Sequence, residues 1–259
     1  MVDLVLSEWE RIWTKPRTRV LLVMVPCISI VTALFYQWNN QTLEPASRFY
    51  VSALSFPYMN FNVHLFLTLS FLIPLVAVDV FTGEVESGAL RTVLLRPFER
   101  HQIFVAKLLA LVSFLYVFLA AILIVSYPLG FLLLPYQPTV ALFGMTAPAG
   151  WETTLLYTLR YYGYGSFTLL ALMGIAVLVS VHSRSTISAA ATVLGVWLFS
   201  LMLTRTPWSY LSIQELQTNE LLRLLAGSWT SQAGFFSVVA GYLLLTLPAA
   251  GWNFTQRDC

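Results

Sequence analysis

Six apolar runs divide the chain, at roughly Val20–Trp38, Asn62–Phe81, Phe104–Leu134, Tyr161–Val181, Thr186–Thr204 and Phe235–Phe254. Each reaches or approaches the roughly 20 apolar residues that a helix needs to cross a bilayer core. The third is long for one span, so Pro128 is expected to kink it or to let its end lie along the outer surface. Pro26, Pro74 and Pro248 fall inside other runs, where neighbouring helices can satisfy the carbonyls that a proline frees. The pattern predicts an all-α integral membrane fold, a single transmembrane domain over residues 1–259.

The polar stretches between the runs carry patterns of their own. In Asp3–Lys15, Val5, Trp9, Ile12 and Trp13 repeat at helical spacing, while Glu8, Glu10 and Arg11 are read as pointing elsewhere. This predicts an amphipathic helix in the inner membrane interface, with Trp9, Ile12 and Trp13 on its apolar side. Pro16 should end it. The stretch 205–234 is long for a loop. Ser212 and Glu215 have the spacing of a capping box, leucines follow, and Gly227 can act as a stop. A short amphipathic helix against the outer membrane face is expected there. The connection Pro135–Leu159 is expected to be irregular.

Composition agrees with the runs. Of the 259 residues 58% are hydrophobic and 10% charged, against about 25% charged in an ordinary soluble domain. A net charge of +2 gives no reason to expect nucleic acid as a partner. Basic residues set the orientation. With the N-terminus inside, the cytoplasmic side holds Arg11, Lys15, Arg17, Arg19, Arg91, Arg96, Arg100, Lys107, Arg184 and Arg257, ten of the fourteen Lys and Arg. Six spans then place both termini in the cytoplasm, in the inner or plasma membrane. The first nineteen residues lack the pattern of a cleaved leader, so the first run is expected to stay as an anchor. Trp151, Tyr157, Tyr161, Tyr162 and Tyr164 gather at the outer end of the fourth run and read as a lipid-facing belt. Cys27 reads as a small core residue and Cys259 as a tail thiol.

The cytoplasmic loop after the second run, residues 82–103, concentrates charge in a chain that has little. Asp79, Glu84 and Glu86 come first and Arg91, Arg96 and Arg100 later, the order that suits a helix dipole. Leu90, Val93 and Leu94 form one apolar stripe. Pro97 disfavours helix at Arg96 and can open the next helix. A short helix with an apolar stripe and a basic end needs a cover, either the lipid surface or a partner protein with an apolar groove.

In this loop the chain resembles the permease subunits of ABC-2-type exporters. The residues that carry the likeness are Glu84, Gly88, Ala89, Leu90, Arg91, Val93, Leu94, Leu95, Arg96, Pro97, Arg100 and Lys107. Ala89 stands where the family commonly has Thr. The N-terminal helix is similar to the family's elbow helix. The turn from His182 through Arg184 to Thr186 is similar to its second cytoplasmic loop, and the long outer loop to its extracellular helices. The resemblance implies a half-transporter that pairs with a second copy or a paralogue. A separate ABC ATPase would dock beneath it. The loop would be the coupling helix, with Glu84, Glu86, Gly88, Leu90, Arg91, Val93, Leu94, Arg96, Pro97 and Arg100 at the ATPase interface and His182 and Arg184 in the second loop. ATP and Mg would sit on the ATPase. This chain has no Gly-x4-Gly-Lys-Ser/Thr phosphate loop, since Gly83 and Gly88 are followed by Ala89 and Leu90. It is expected to bind no cofactor itself and to carry no catalytic or metal site. The cargo is expected to be hydrophobic or amphipathic.

Three rival readings make different demands. An ion-coupled secondary transporter would need ionisable groups near mid-membrane, and the runs carry almost none. A membrane-embedded hydrolase could draw on Ser166 and His182, but sixteen helical residues place them roughly 24 Å apart, beyond proton-transfer reach. A non-transporting assembly or sensory subunit makes no demand that the sequence fails.

Overall fold

The computed structural model describes residues 2–45, 47, 49–86, 99–145, 147–225 and 229–256. Among these, six helices are long and apolar enough to cross a membrane. Span one is Pro16–Asn39, span three Arg100–Leu133, span four Trp151–His182, span five Thr186–Leu203 and span six Trp229–Gln256. Span two is the continuous helical run Phe56–Glu86, α-helical except for a π-helical stretch at His64–Leu69. The N-terminal helix, Val2–Thr14, precedes them. Several helices outrun the hydrocarbon: at 1.5 Å per residue span three is about 51 Å long, against about 30 Å of bilayer core. It continues through Pro128 to Leu133, and its first turns carry Arg100 and Lys107.

Spans two and four form the centre. In each, 72% of the most apolar window is buried, against 22% in spans one, five and six. The outer helices keep large side chains such as Val31, Phe35, Ile187, Phe199, Leu244 and Leu245 exposed, as lipid-facing positions require. Close approach uses small residues, as is usual between membrane helices. A Cβ on Gly165 of span four would lie 2.6 Å from the Phe61 ring of span two, and one on Gly174 would lie 2.5 Å from Thr246 Oγ1 of span six. Polar side chains also join spans one, two and three. Asn60 Nδ2 donates to Ser29 Oγ at 2.9 Å and to Ser126 Oγ at 2.7 Å, and Ser29 Oγ lies 3.0 Å from His64 Nε2.

Three outer features depart from the sequence reading. Span four begins at Trp151, so the last nine residues of the expected irregular connection are helix, and Val140 and Ala149 close the remainder by exchanging two backbone hydrogen bonds. The tyrosines of span four are not a lipid belt. Tyr157, Tyr161 and Tyr162 are buried against Tyr58 and Phe61, because each hydroxyl finds an acceptor or donor inside. Tyr157 donates to the Phe143 carbonyl, Tyr162 to the Pro57 carbonyl, and Tyr161 meets Asn62. Trp151 does stay exposed. Ser212 caps the outer-loop helix by accepting from Glu215 N–H. That helix runs through Ile213–Glu215, a π-helical Leu216–Glu220 and Leu221–Leu225. It is folded back into the bundle, since Gln217 is buried and accepts from Ser70 at the midpoint of span two.

Candidate functional site

Ends of several spans gather on one side of the bundle around Glu86 and Glu99, the described residues that flank residues 87–98. The expected interface residues Gly88, Leu90, Arg91, Val93, Leu94, Arg96 and Pro97 lie outside the described residues. What the structure gives is the frame that holds them.

The N-terminal helix supplies one wall. Residues four apart share a helix face, and here Leu4, Glu8 and Ile12 are the buried stripe. Trp13 packs on Phe114 and Phe118 of span three, with ring centres 5.4 and 6.3 Å apart, and on Trp9 at 5.6 Å. The apolar side of this helix therefore faces span three. Glu8, read from sequence as pointing away from that side, stands in the middle of it. The signal was present: a lone acid in register with Leu4 and Ile12.

Glu8 belongs to a charged cluster that draws on two other elements. Lys107 of span three is fully buried, and its Nζ lies 2.6 Å from Glu84 Oε2 and 3.0 Å from Glu8 Oε2. Arg11 closes the ring, 2.9 Å from Glu84 Oε1 and 3.9 Å from Glu8 Oε1. Among the described residues the cluster joins two acids and two bases. Burying these charges singly would cost several kcal/mol each, and the mutual pairing is what makes the burial tolerable. Glu84, expected on the partner-facing surface, has its carboxylate turned inside the bundle, 3% exposed.

A second, wetter layer lies nearer the membrane. Lys15 Nζ sits 2.6 Å from Asp79 Oδ2 of span two, and Arg17 3.8 Å from Asp79 Oδ1. Lys15 is the extended residue between the N-terminal helix and span one, and Pro16 opens that span. Asp79 thus pins the hinge between them.

The other span ends on this side are tied in as well. Glu86, at the last turn of span two, accepts from Thr186 N–H at 2.9 Å and from Thr186 Oγ1–H at 2.6 Å. Ser185 offers span five no side-chain cap, so a carboxylate from span two takes that place at the positive helix end. Thr82 donates to the Ser180 carbonyl of span four. His182 and Arg184 of the second loop are exposed. Span three opens on a capping box between Glu99 and Gln102, and Arg100 donates to the Thr255 carbonyl at the end of span six.

Beside this frame a groove lies along span two, between spans one and five at one end and against span one farther along. The part nearest the frame, about 670 Å³, is lined by Lys15, Arg17, Asp79 and Thr186 together with Leu75 and Ile187. The next part, about 510 Å³, is lined by apolar side chains including Met24, Val31, Phe71 and Leu75. Leu21 and Leu75 line both, so the two adjoin. Cys27, expected in the core, is exposed along the upper part, because span one turns that face outward. Among the described residues no three His, Cys, Asp or Glu side chains are grouped to hold a metal ion.

The described ends of spans two, three, four, five and six are thus bonded to one another on the side of the bundle where Glu86 and Glu99 lie. Comparison with known families decides what kind of membrane domain this is. The profile described as ABC-2 family transporter protein matches residues 4–258. The chain belongs to the ABC-2 transporter family. No curated protein matches it significantly. As a member of this family it is a multi-pass membrane protein with a transport-permease role, the transmembrane component of a type of transporter whose membrane subunits typically work with an ATPase.

Proposed function

We propose that this chain is the membrane half of an ATP-driven exporter. Two copies, or one copy and a paralogue, pair in the membrane, and a separate ABC ATPase docks below on residues 82–103 and on the turn carrying His182 and Arg184. ATP and Mg are bound by the ATPase. The observation that carries this reading is the frame around residues 87–98. The N-terminal helix and spans two, three, five and six all bond at or beside the loop's two ends, so a displacement of the loop is delivered to most of the bundle. A ligand shifts such an equilibrium only by binding its two states differently, and ATP on a docked ATPase supplies that difference.

The groove between spans one and five supports both the pairing and the class of cargo. Its walls are apolar and its mouth charged, which suits a hydrophobic or amphipathic molecule taken from the cytoplasmic side. A second copy laid across the same face would close it into a pathway. The test is purification of the tagged full chain from its own membranes in mild detergent. We expect an ABC ATPase and a second permease copy in the same particle, with ATP hydrolysis that a co-purified amphiphile stimulates. A chain that purifies alone, at the mass of one copy, would overturn the proposal.

A further inference from the structure

We infer that Lys107, with Glu8 and Glu84, is a positioning element of energy coupling, joining the N-terminal helix rigidly to the stem of the loop. The inference rests on the exporter reading. Lys107 follows the loop on span three and Glu84 precedes it on span two. Their 2.6 Å contact ties entry to exit, and the 3.0 Å contact from Lys107 to Glu8 adds the N-terminal helix. All three side chains are at most 6% exposed.

Stability alone is a poor reason for such a cluster. Apolar side chains of the same volume commonly stabilise as well as a buried ion group or better. What ions and their hydrogen bonds add is direction: each Lys107 contact fixes one carboxylate oxygen against one nitrogen. The next layer out contrasts with this. Lys15 and Asp79 are each 29% exposed, and pairs of that kind hold weakly. They sit where the backbone turns extended before Pro16. A stiff joint at Lys107 and a soft one at Lys15 make the N-terminal helix and the loop stem one body that pivots against span one. The N-terminal helix is then a working part of the transmission as well as a membrane-surface anchor.

The experiment uses the full chain in complex with its co-purifying ATPase, with Cys259→Ser leaving Cys27 as the single thiol. Two readouts are taken for the parent, Glu8→Gln and Lys107→Met. The first is hydrogen exchange of residues 2–14, which both variants should speed. The second is the change in the rate of Cys27 labelling by an apolar maleimide when ATP and Mg are added. That change should shrink about 2- to 30-fold in both variants, the range for substitutions along a coupling path, while ATPase co-purification and ATP hydrolysis persist. Glu8→Gln leaves Lys107 paired with Glu84, so it keeps the question open to an answer if Lys107→Met does not fold. An ATP-driven change equal to the parent's in both variants would overturn the positioning role and leave the exporter reading standing. Absence of any ATP-driven change in the parent would overturn the exporter reading, and the coupling role with it.

Discussion

Lys107 Nζ of span three lies 2.6 Å from Glu84 Oε2 of span two, with neither side chain more than 4% exposed. A pair at that depth is strongly interdependent. Breaking a buried pair typically costs about 3–5 kcal/mol, and here Arg11 beside Glu84 and Glu8 beside Lys107 offset part of that. Lys107→Met should therefore lower the thermal midpoint in detergent sharply. Lys107→Met with Glu84→Gln should be far less harmful than the two added together, with a coupling energy of about 0.5–3 kcal/mol. Asp79→Asn is the control, since partly exposed pairs like Lys15–Asp79 contribute about 0–1 kcal/mol. Strict additivity of Lys107 and Glu84 would show that the pair is not coupled in the folded protein.

Glu86 caps span five from span two. With Glu86→Ala, Thr186 N–H loses its acceptor, and the first turn of span five should fray. Hydrogen exchange at residues 186–189 should quicken, with exchange in span four unchanged. Thr186→Ala removes one of the two bonds and should give a smaller effect. Equal protection in Glu86→Ala and the parent would mean that the cap contributes nothing in solution.

The spans were legible in the sequence because hydropathy reports the solvent directly, and a lipid-facing helix has no way to hide its composition. Val31 and Phe35 read as apolar whether or not anything packs on them. What the sequence concealed were pairings between elements. Glu84 and Lys107 are twenty-three residues apart and Glu8 is ninety-nine from Lys107, so no local period links them. The tyrosines of span four were misjudged for a related reason. Tyr suits a membrane interface and a hydrogen-bonded core equally well, and only the positions of Phe143, Pro57 and Asn62 decide between them. The π-helical turn at His64–Leu69 left no sequence signal that we can name.

Glycines of span four offer a contrast within one helix. A Cβ at Gly165 would fall 2.6 Å from the Phe61 ring, whereas one at Gly163 would meet nothing within 4 Å. Gly165→Ala should force the Phe61–Tyr162 stack apart and cost about 1–3 kcal/mol, as overpacking does. Gly163→Ala should be neutral or gain up to about 1 kcal/mol from helix propensity. Thermal unfolding of the two variants in one detergent checks both. A Gly165→Ala protein as stable as the parent would show that spans two and four are free to separate there.

The docking surface predicted from Leu90, Val93 and Leu94 gives a test aimed at the partner. Leu94→Asp places a charge in an apolar contact, and the ATPase should be lost from the purified complex while the permease keeps its yield and thermal midpoint. Arg91→Ala should weaken recovery of the ATPase less than Leu94→Asp does. Recovery of the ATPase with Leu94→Asp at the parent level would remove this stripe from the interface.

Cys27 provides a native probe of pairing. It is exposed on span one and lines the groove above Leu21 and Leu75. If a second copy lies across spans one and five, the face that carries Cys27 is covered in the pair and open in the single chain. Separation of the two forms by size in the same detergent, in a Cys259→Ser background, allows their labelling rates with an apolar maleimide to be compared. We expect the paired form to label more slowly, and Cys27→Ser to abolish labelling in both. The comparison is specific because lipid or detergent covers the outer faces of spans three and six in either form, whereas only the groove changes its neighbour on pairing. Equal rates in the two forms would place the partner on another face, and the groove would then be a lateral opening to lipid rather than one wall of a shared pathway.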